Sequence, residues 1–169
     1  MSFSKLKVYN LDIYADYTEP FKYKVNEYGY EELFSPFTTN VSYPIAALNP
    51  AYEVIEKDKA HNTNYAPIPS DTKEAVLTKL DVTVFESIIK LTLTALEDAL
   101  FFLEKHDLRE NVNRMDYILY MTGLFAYQGA ENITPELERS LVKWVQEVNF
   151  TNQSNSARRE IFTNLLDLL

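Results

Sequence analysis

Residues 5–17 read Lys5-Leu6-Lys7-Val8-Tyr9-Asn10-Leu11-Asp12-Ile13-Tyr14-Ala15-Asp16-Tyr17, and residues 21–26 read Phe21-Lys22-Tyr23-Lys24-Val25-Asn26. How these two stretches are read decides the fold class. Leu6 and Val8 alternate with Lys5 and Lys7. The phase then slips by one, so that Tyr9, Leu11, Ile13 and Ala15 share a face opposite Asn10, Asp12 and Asp16. Alternation with one slip is the pattern of a strand carrying a bulge near Val8-Tyr9. The second stretch alternates cleanly, and Asp16 to Pro20 between them supplies turn-formers. The pair predicts an antiparallel hairpin, closed by Tyr28-Gly29-Tyr30.

Outward from the hairpin, regularity fades. Ser35-Pro36, Tyr43-Pro44, Asn49-Pro50, Ala66-Pro67 and Ile68-Pro69 recur from residue 31 to residue 70. Each proline removes an amide donor and biases its predecessor toward extended backbone. The expectation is an irregular arm with short extended pieces at Thr38–Tyr43 and Tyr52–Glu56, and a linker at Asp58–Ser70. Six of the seven prolines and nine of the twelve tyrosines lie before Ser70, which marks the boundary between two styles of chain.

After Ser70 the period is helical. Asp71 and Thr83 each stand three residues before a glutamate, the spacing of a capping box, and a long helix should run to about Lys105. Phe85, Ile88, Ile89, Leu96, Ala99, Leu100 and Leu103 form its broad face. Leu91, Leu93, Ala95 and Phe102 lie off that face, which predicts a central helix. Glu86, Lys90, Glu97, Asp98 and Glu104 mark the side that water sees. Asn113 and Gly129 bracket a third helix. Thr134-Pro135-Glu136 combines an N-cap, a proline at the first helical position and a first-turn acid, and so opens a fourth. Trp144 sits mid-stripe there, and is expected against Ile88–Leu96. Ser154 or Ser156 opens the last helix. The expected fold class is therefore α+β: a hairpin and Pro/Tyr-rich arm over residues 1–69, then a four- to five-helix cluster over 70–169.

Chemistry leaves little trace. There are no cysteines, so disulfides and thiolate chemistry are excluded. His61 and His106 lack metal-ligand spacing, and the three glycines build no phosphate loop. Glu31-Glu32 and Glu97-Asp98 are sequence neighbours whose side chains diverge on a helix, and Asp12 and Asp16 are too far apart along a strand for a catalytic pair. No catalytic, cofactor or metal residue is predicted, and no small-molecule ligand. The net charge of −9 opposes direct binding to nucleic acid or anionic membrane. Residues 1–5 lead into alternating sequence rather than an apolar secretory stretch, so a cytoplasm is the expected location, or a virion if the chain is phage-encoded. On the same ground the four Asn-x-Ser/Thr matches, at Asn40, Asn132, Asn149 and Asn152, are not read as glycosylation sites.

Tyrosine-rich surface favours protein contact. Phe34, Phe37, Tyr43, Tyr52 and Tyr65 are the candidate partner-binding residues, with a protein partner or a second copy covering the arm. The first expected function is a non-catalytic subunit or adaptor of a larger assembly, of which a phage-like virion or assembly component is one form. The second is an acidic stoichiometric inhibitor, of the immunity or anti-defence type, that binds a basic nucleic-acid-handling protein. A carboxylate-dependent enzyme is the third.

Overall fold

The computed structural model describes residues 7–8, 11–12, 14–33, 42–56, 65–69, 77 and 79–169. Among them are six α-helices: α1 (Glu19–Glu27), α2 (Ser42–Glu56), α3 (Val82–Lys105), α4 (Met115–Gln128), α5 (Pro135–Glu147) and α6 (Asn155–Leu166). The α+β expectation is overturned, because the architecture is helical on both sides of Ser70. What pairs as strand among the described residues is a two-residue antiparallel ladder, β1 (Lys7–Val8) with β2 (Leu11–Asp12). The expected hairpin partner at 21–26 is helix α1.

The reason lies in Phe21-Lys22-Tyr23-Lys24-Val25-Asn26, which satisfies two periods at once. Alternation places Phe21, Tyr23 and Val25 on one strand face. Helical spacing places Tyr17, Phe21, Val25 and Tyr28 on one stripe. Glu19-Pro20 decides between them: proline within the first helical residues pre-sets the backbone, and a first-turn acid suits the helix dipole. Tyr17, Phe21 and Val25 are fully buried, whereas Tyr23 is 69% exposed. A π-helical turn at Tyr14–Thr18 leads straight into α1, with Thr18 already in helical backbone. Gly29, at φ +86°, ends the helix. The Gly29 amide donates to the Asn26 carbonyl and the Tyr30 amide to the Val25 carbonyl, the Schellman arrangement. The tripeptide expected to close a hairpin thus closes a helix.

Helix α2 runs through the region expected to be an irregular arm. The extended piece expected at Tyr52–Glu56 is its last turn. Of the piece expected at Thr38–Tyr43, Ser42 and Tyr43 begin the helix and 38–41 lie outside the described residues. Pro44 sits in the first turn, where no intrahelical donor is needed. Pro50 is interior and forfeits one ladder bond, at a cost of roughly 3 kcal/mol. Burial offsets that loss, since every residue from Pro44 to Tyr52 is buried. Helix α2 packs against both α3 and α4. The Tyr17 hydroxyl donates to the Pro44 carbonyl, and Asn49 Nδ2 donates to the Ala66 carbonyl at 3.4 Å. Those bonds tie the π-helical turn and the 65–69 segment to α2. Ala66, Pro67 and Ile68 are buried beside it.

C-terminal of Ser70, α5 and α6 begin at Thr134 and Ser154 as expected, whereas α3 is capped by Asp81 rather than Thr83 and α4 by Arg114, without a side-chain bond, rather than Asn113; Asp71 lies outside the described residues. Asp81 caps α3 by accepting from the Thr83 amide at 2.9 Å. Thr134 caps α5 by accepting from the Leu137 amide at 3.1 Å, and Ser154 caps α6 by accepting from the Ala157 amide at 3.1 Å. Helix α3 was expected to be the enclosed one, yet α4 is: every residue from Met115 to Tyr127 is buried. Helix α3 keeps one open face.

Trp144 also sits elsewhere than expected. It is half-buried on α5, edge-on to Tyr117 at 6.5 Å and to Phe150 at 6.1 Å. Phe150 is the plug at that end, fully buried between Tyr117 and Tyr120 with ring centroids at 4.9 and 4.8 Å.

Gly123 marks the closest approach in the core. A Cβ there would lie 3.0 Å from the Phe162 ring of α6 and 3.1 Å from Pro50 Cγ of α2. Both neighbours are buried, so neither can move away freely. Gly123→Ala is expected to lower stability by about 1–3 kcal/mol in chemical denaturation, despite alanine's better helix propensity. A stabilised variant would show that α2, α4 and α6 are not packed this tightly.

Candidate protein-binding face

The open face of α3 carries two grooves. Its sequence explains the open face. Glu86, Lys90, Leu93, Thr94, Glu97, Asp98 and Phe101 recur at three- and four-residue steps, so they share one side of the helix. The opposite side carries the buried Phe85, Ile88, Thr92, Ala95, Leu96, Ala99 and Leu103, and the helix packs against α2 and α4.

Two grooves follow this face. The larger, of about 700 Å³, runs between α3 and the α1 region. Ile89 and Leu93 supply its apolar floor, and Asp16, Glu86, Glu97 and Asp98 face Lys24 and Lys90 around it. The smaller, of about 290 Å³, continues past Asp98 to Phe101 and Phe102, and is closed by Phe125, Ile133 and Glu138. Asp98 lines both, so the grooves form one strip. Glu86 and Lys105 at its ends are nineteen residues apart, about 28 Å at helical rise.

The strip is held in shape from both sides. Lys24 Nζ of α1 meets Glu97 Oε2 at 2.9 Å, and the Tyr28 hydroxyl donates to Glu97 Oε1 at 2.9 Å. The Lys24 hydrogen bond draws the Glu97 carboxyl below its ordinary range, against its burial. Burial and then the bond to Glu97 push the Tyr28 phenol up to about 12. At the far end Glu138 accepts from Lys105 Nζ at 2.9 Å and lies 2.6 Å from His106 Nε2. The Lys105 hydrogen bond, ahead of that from His106, draws Glu138 downward. Asp98 behaves in the opposite sense. Burial, then the charges of Glu131 and Glu97, raise its carboxyl above the usual value. A carboxylate held among like charges gains from an incoming cation.

Phe101 carries the largest exposed apolar side chain on the strip, at 57%. Tyr23 stands on the solvent side of α1.

The residues expected to bind a partner are placed differently. Tyr52 is buried at the end of α2, and its ring lies 5.1 Å from that of Tyr65. Tyr43 and Tyr65 are partly buried against the core. Phe34 and Phe37 lie outside the described residues. The structure therefore brings Tyr52 and Tyr65 together as packing, and puts Tyr43 near the start of the same helix. What the sequence reading missed is Phe101. Its signal was available: an aromatic residue in phase with the charges Glu86, Lys90, Glu97 and Asp98.

Among the described residues no group of His, Asp and Glu side chains could hold a metal ion. No helix among them is long and apolar enough to cross a membrane. Comparison with known proteins returns no match: no family model, no curated protein and no solved structure is similar to this chain.

Proposed function

We propose that this chain is a non-catalytic protein-binding subunit or adaptor of a larger assembly, acting in a cytoplasm or within a phage-like particle, and that it meets its partner through the α3 strip. The observation that carries this reading is Phe101, a 57% exposed aromatic that lines the smaller groove one helical turn beyond Asp98, the residue shared by both grooves. Large aromatics held on a rigid helix are the side chains that anchor protein interfaces. Asp98 and Glu138 line the same groove, and along the whole strip carboxylates outnumber lysines, which steers a basic partner. That acidic lining favours a second reading on the same surface. An acidic inhibitor would use it to cover the basic face of a nucleic-acid-handling protein.

Affinity capture from the native host, comparing the wild-type chain with Phe101→Asp, tests the reading. The partner should be retained stoichiometrically by the wild type and lost by the variant, with helical circular dichroism unchanged. Equal retention by both would remove the α3 strip from the function. Loss of a nuclease, polymerase or DNA-binding activity in the captured partner would make the inhibitor reading the correct one.

A further inference from the structure

We propose that the α3 strip binds a basic amphipathic helix of about five turns, a deepening that rests on the protein-binding reading above. Three features of the strip select this occupant. The first is shape. The grooves follow a single continuous helix for about 28 Å, the length of an 18- to 20-residue helix. The second is the backbone. The α3 amides and carbonyls are engaged within the helix, so the strip offers no edge on which an extended peptide could add as a strand. The third is the pattern of side chains. Ile89, Leu93 and Phe101 give apolar positions along the floor, and around them five acids (Asp16, Glu86, Glu97, Asp98, Glu138) outnumber three lysines (Lys24, Lys90, Lys105), of which Lys24 and Lys105 are held by Glu97 and Glu138. A helix with an apolar stripe bordered by Lys or Arg matches both rows.

Other occupants fit less well. A second copy brings the same acidic strip and a net charge of −9, so like charges would meet at the contact. Nucleic acid meets the same repulsion through its phosphates. An acidic or neutral helix leaves Asp98 among like charges, with Glu97 already engaged by Lys24 and Tyr28.

The test uses a fluorescent synthetic peptide of about 18 residues, with Leu at helical spacing and Lys on its flanks. A scrambled peptide of identical composition has the charge without the apolar stripe. A third peptide carries Glu in place of Lys. Anisotropy titration of the full chain should give the amphipathic Lys peptide at least about tenfold tighter binding than either control. Glu86→Lys and Phe101→Ala, both at exposed positions, should each weaken it by about tenfold, and bound peptide should slow hydrogen exchange along 86–105. Equal affinity for the scrambled peptide, or full affinity in both variants, overturns the helical occupant. Its failure is distinguishable from failure of the adaptor reading. If Phe101→Asp still abolishes native capture while no peptide binds, the strip is a binding face for another kind of partner. If the peptide binds as expected while native capture is unaffected by Phe101→Asp, the strip accepts a basic helix but the adaptor reading falls.

Discussion

Raising the pH above about 10 should unfold this protein cooperatively. The cause is its buried tyrosines. Tyr17 and Tyr120 are fully buried and Tyr127 is nearly so. Burial raises all three phenols above their ordinary value; Glu53 adds to the effect at Tyr127 and Asp116 at Tyr120. A phenol whose folded value is raised stays protonated in the native state while the unfolded chain has already ionised. The unfolded state then binds fewer protons, so stability falls as pH rises. The contribution is fully present below the unfolded pKa of about 10 and is lost on the way up to the folded value. Tyr120 and Tyr127 each remove about 1.4 kcal/mol per pH unit in that window, so two units of pH consume about 5 kcal/mol, and Tyr17 adds to the loss in the same direction. That is comparable to the whole stability of a marginal domain. Far-ultraviolet circular dichroism should collapse together with the appearance of tyrosinate absorbance. Tyr120→Phe with Tyr127→Phe should move that midpoint upward. Ionisation of all twelve tyrosines with helicity intact would mean that these phenols are not buried.

Phe162→Ala is the second large effect. Phe162 is fully buried on α6, with its ring 5.3 Å from Tyr120 and 6.4 Å from Tyr127. It also faces the gap that Gly123 leaves open. Truncation removes a large transfer term and opens a cavity that rigid aromatic neighbours cannot fill. The expected loss is about 3–5 kcal/mol in urea or guanidinium unfolding. Trp144→Ala should cost less, because its ring is only half-buried. A loss below about 1 kcal/mol at Phe162 would show that α6 is not fastened to α4.

The two halves of the chain were not equally legible in sequence, for a physical reason. Helices α5 and α6 announce themselves locally: Thr134 and Ser154 satisfy their own first-turn amides, and Pro135 presets the backbone where no donor is needed. Such signals act over three or four residues and survive without tertiary context. Helix α2 is less plain: Pro44 is tolerated in its first turn, but interior Pro50 argues locally against it, and its helicity comes from burial between α3 and α4, two elements distant in sequence. The α1 stretch fails differently: both periods fit Phe21 and Val25, and only Glu19-Pro20 separates them. At the candidate face, the charged side of α3 was readable from Glu86, Lys90, Glu97 and Asp98. The grooves beside it were not, because their other walls come from the turn before α1 and from the chain after α4.

Helices α1 and α2, from the proline- and tyrosine-rich half, share one core with the C-terminal helices. Hydrogen exchange of residues 42–56 in a dilute, verified monomer tests it most directly. Amides within α2 should exchange as slowly as those of α3 and α4, through global unfolding alone. Fast exchange across 42–56 with α3 and α4 protected would contradict it, and would return that segment to an arm awaiting a partner.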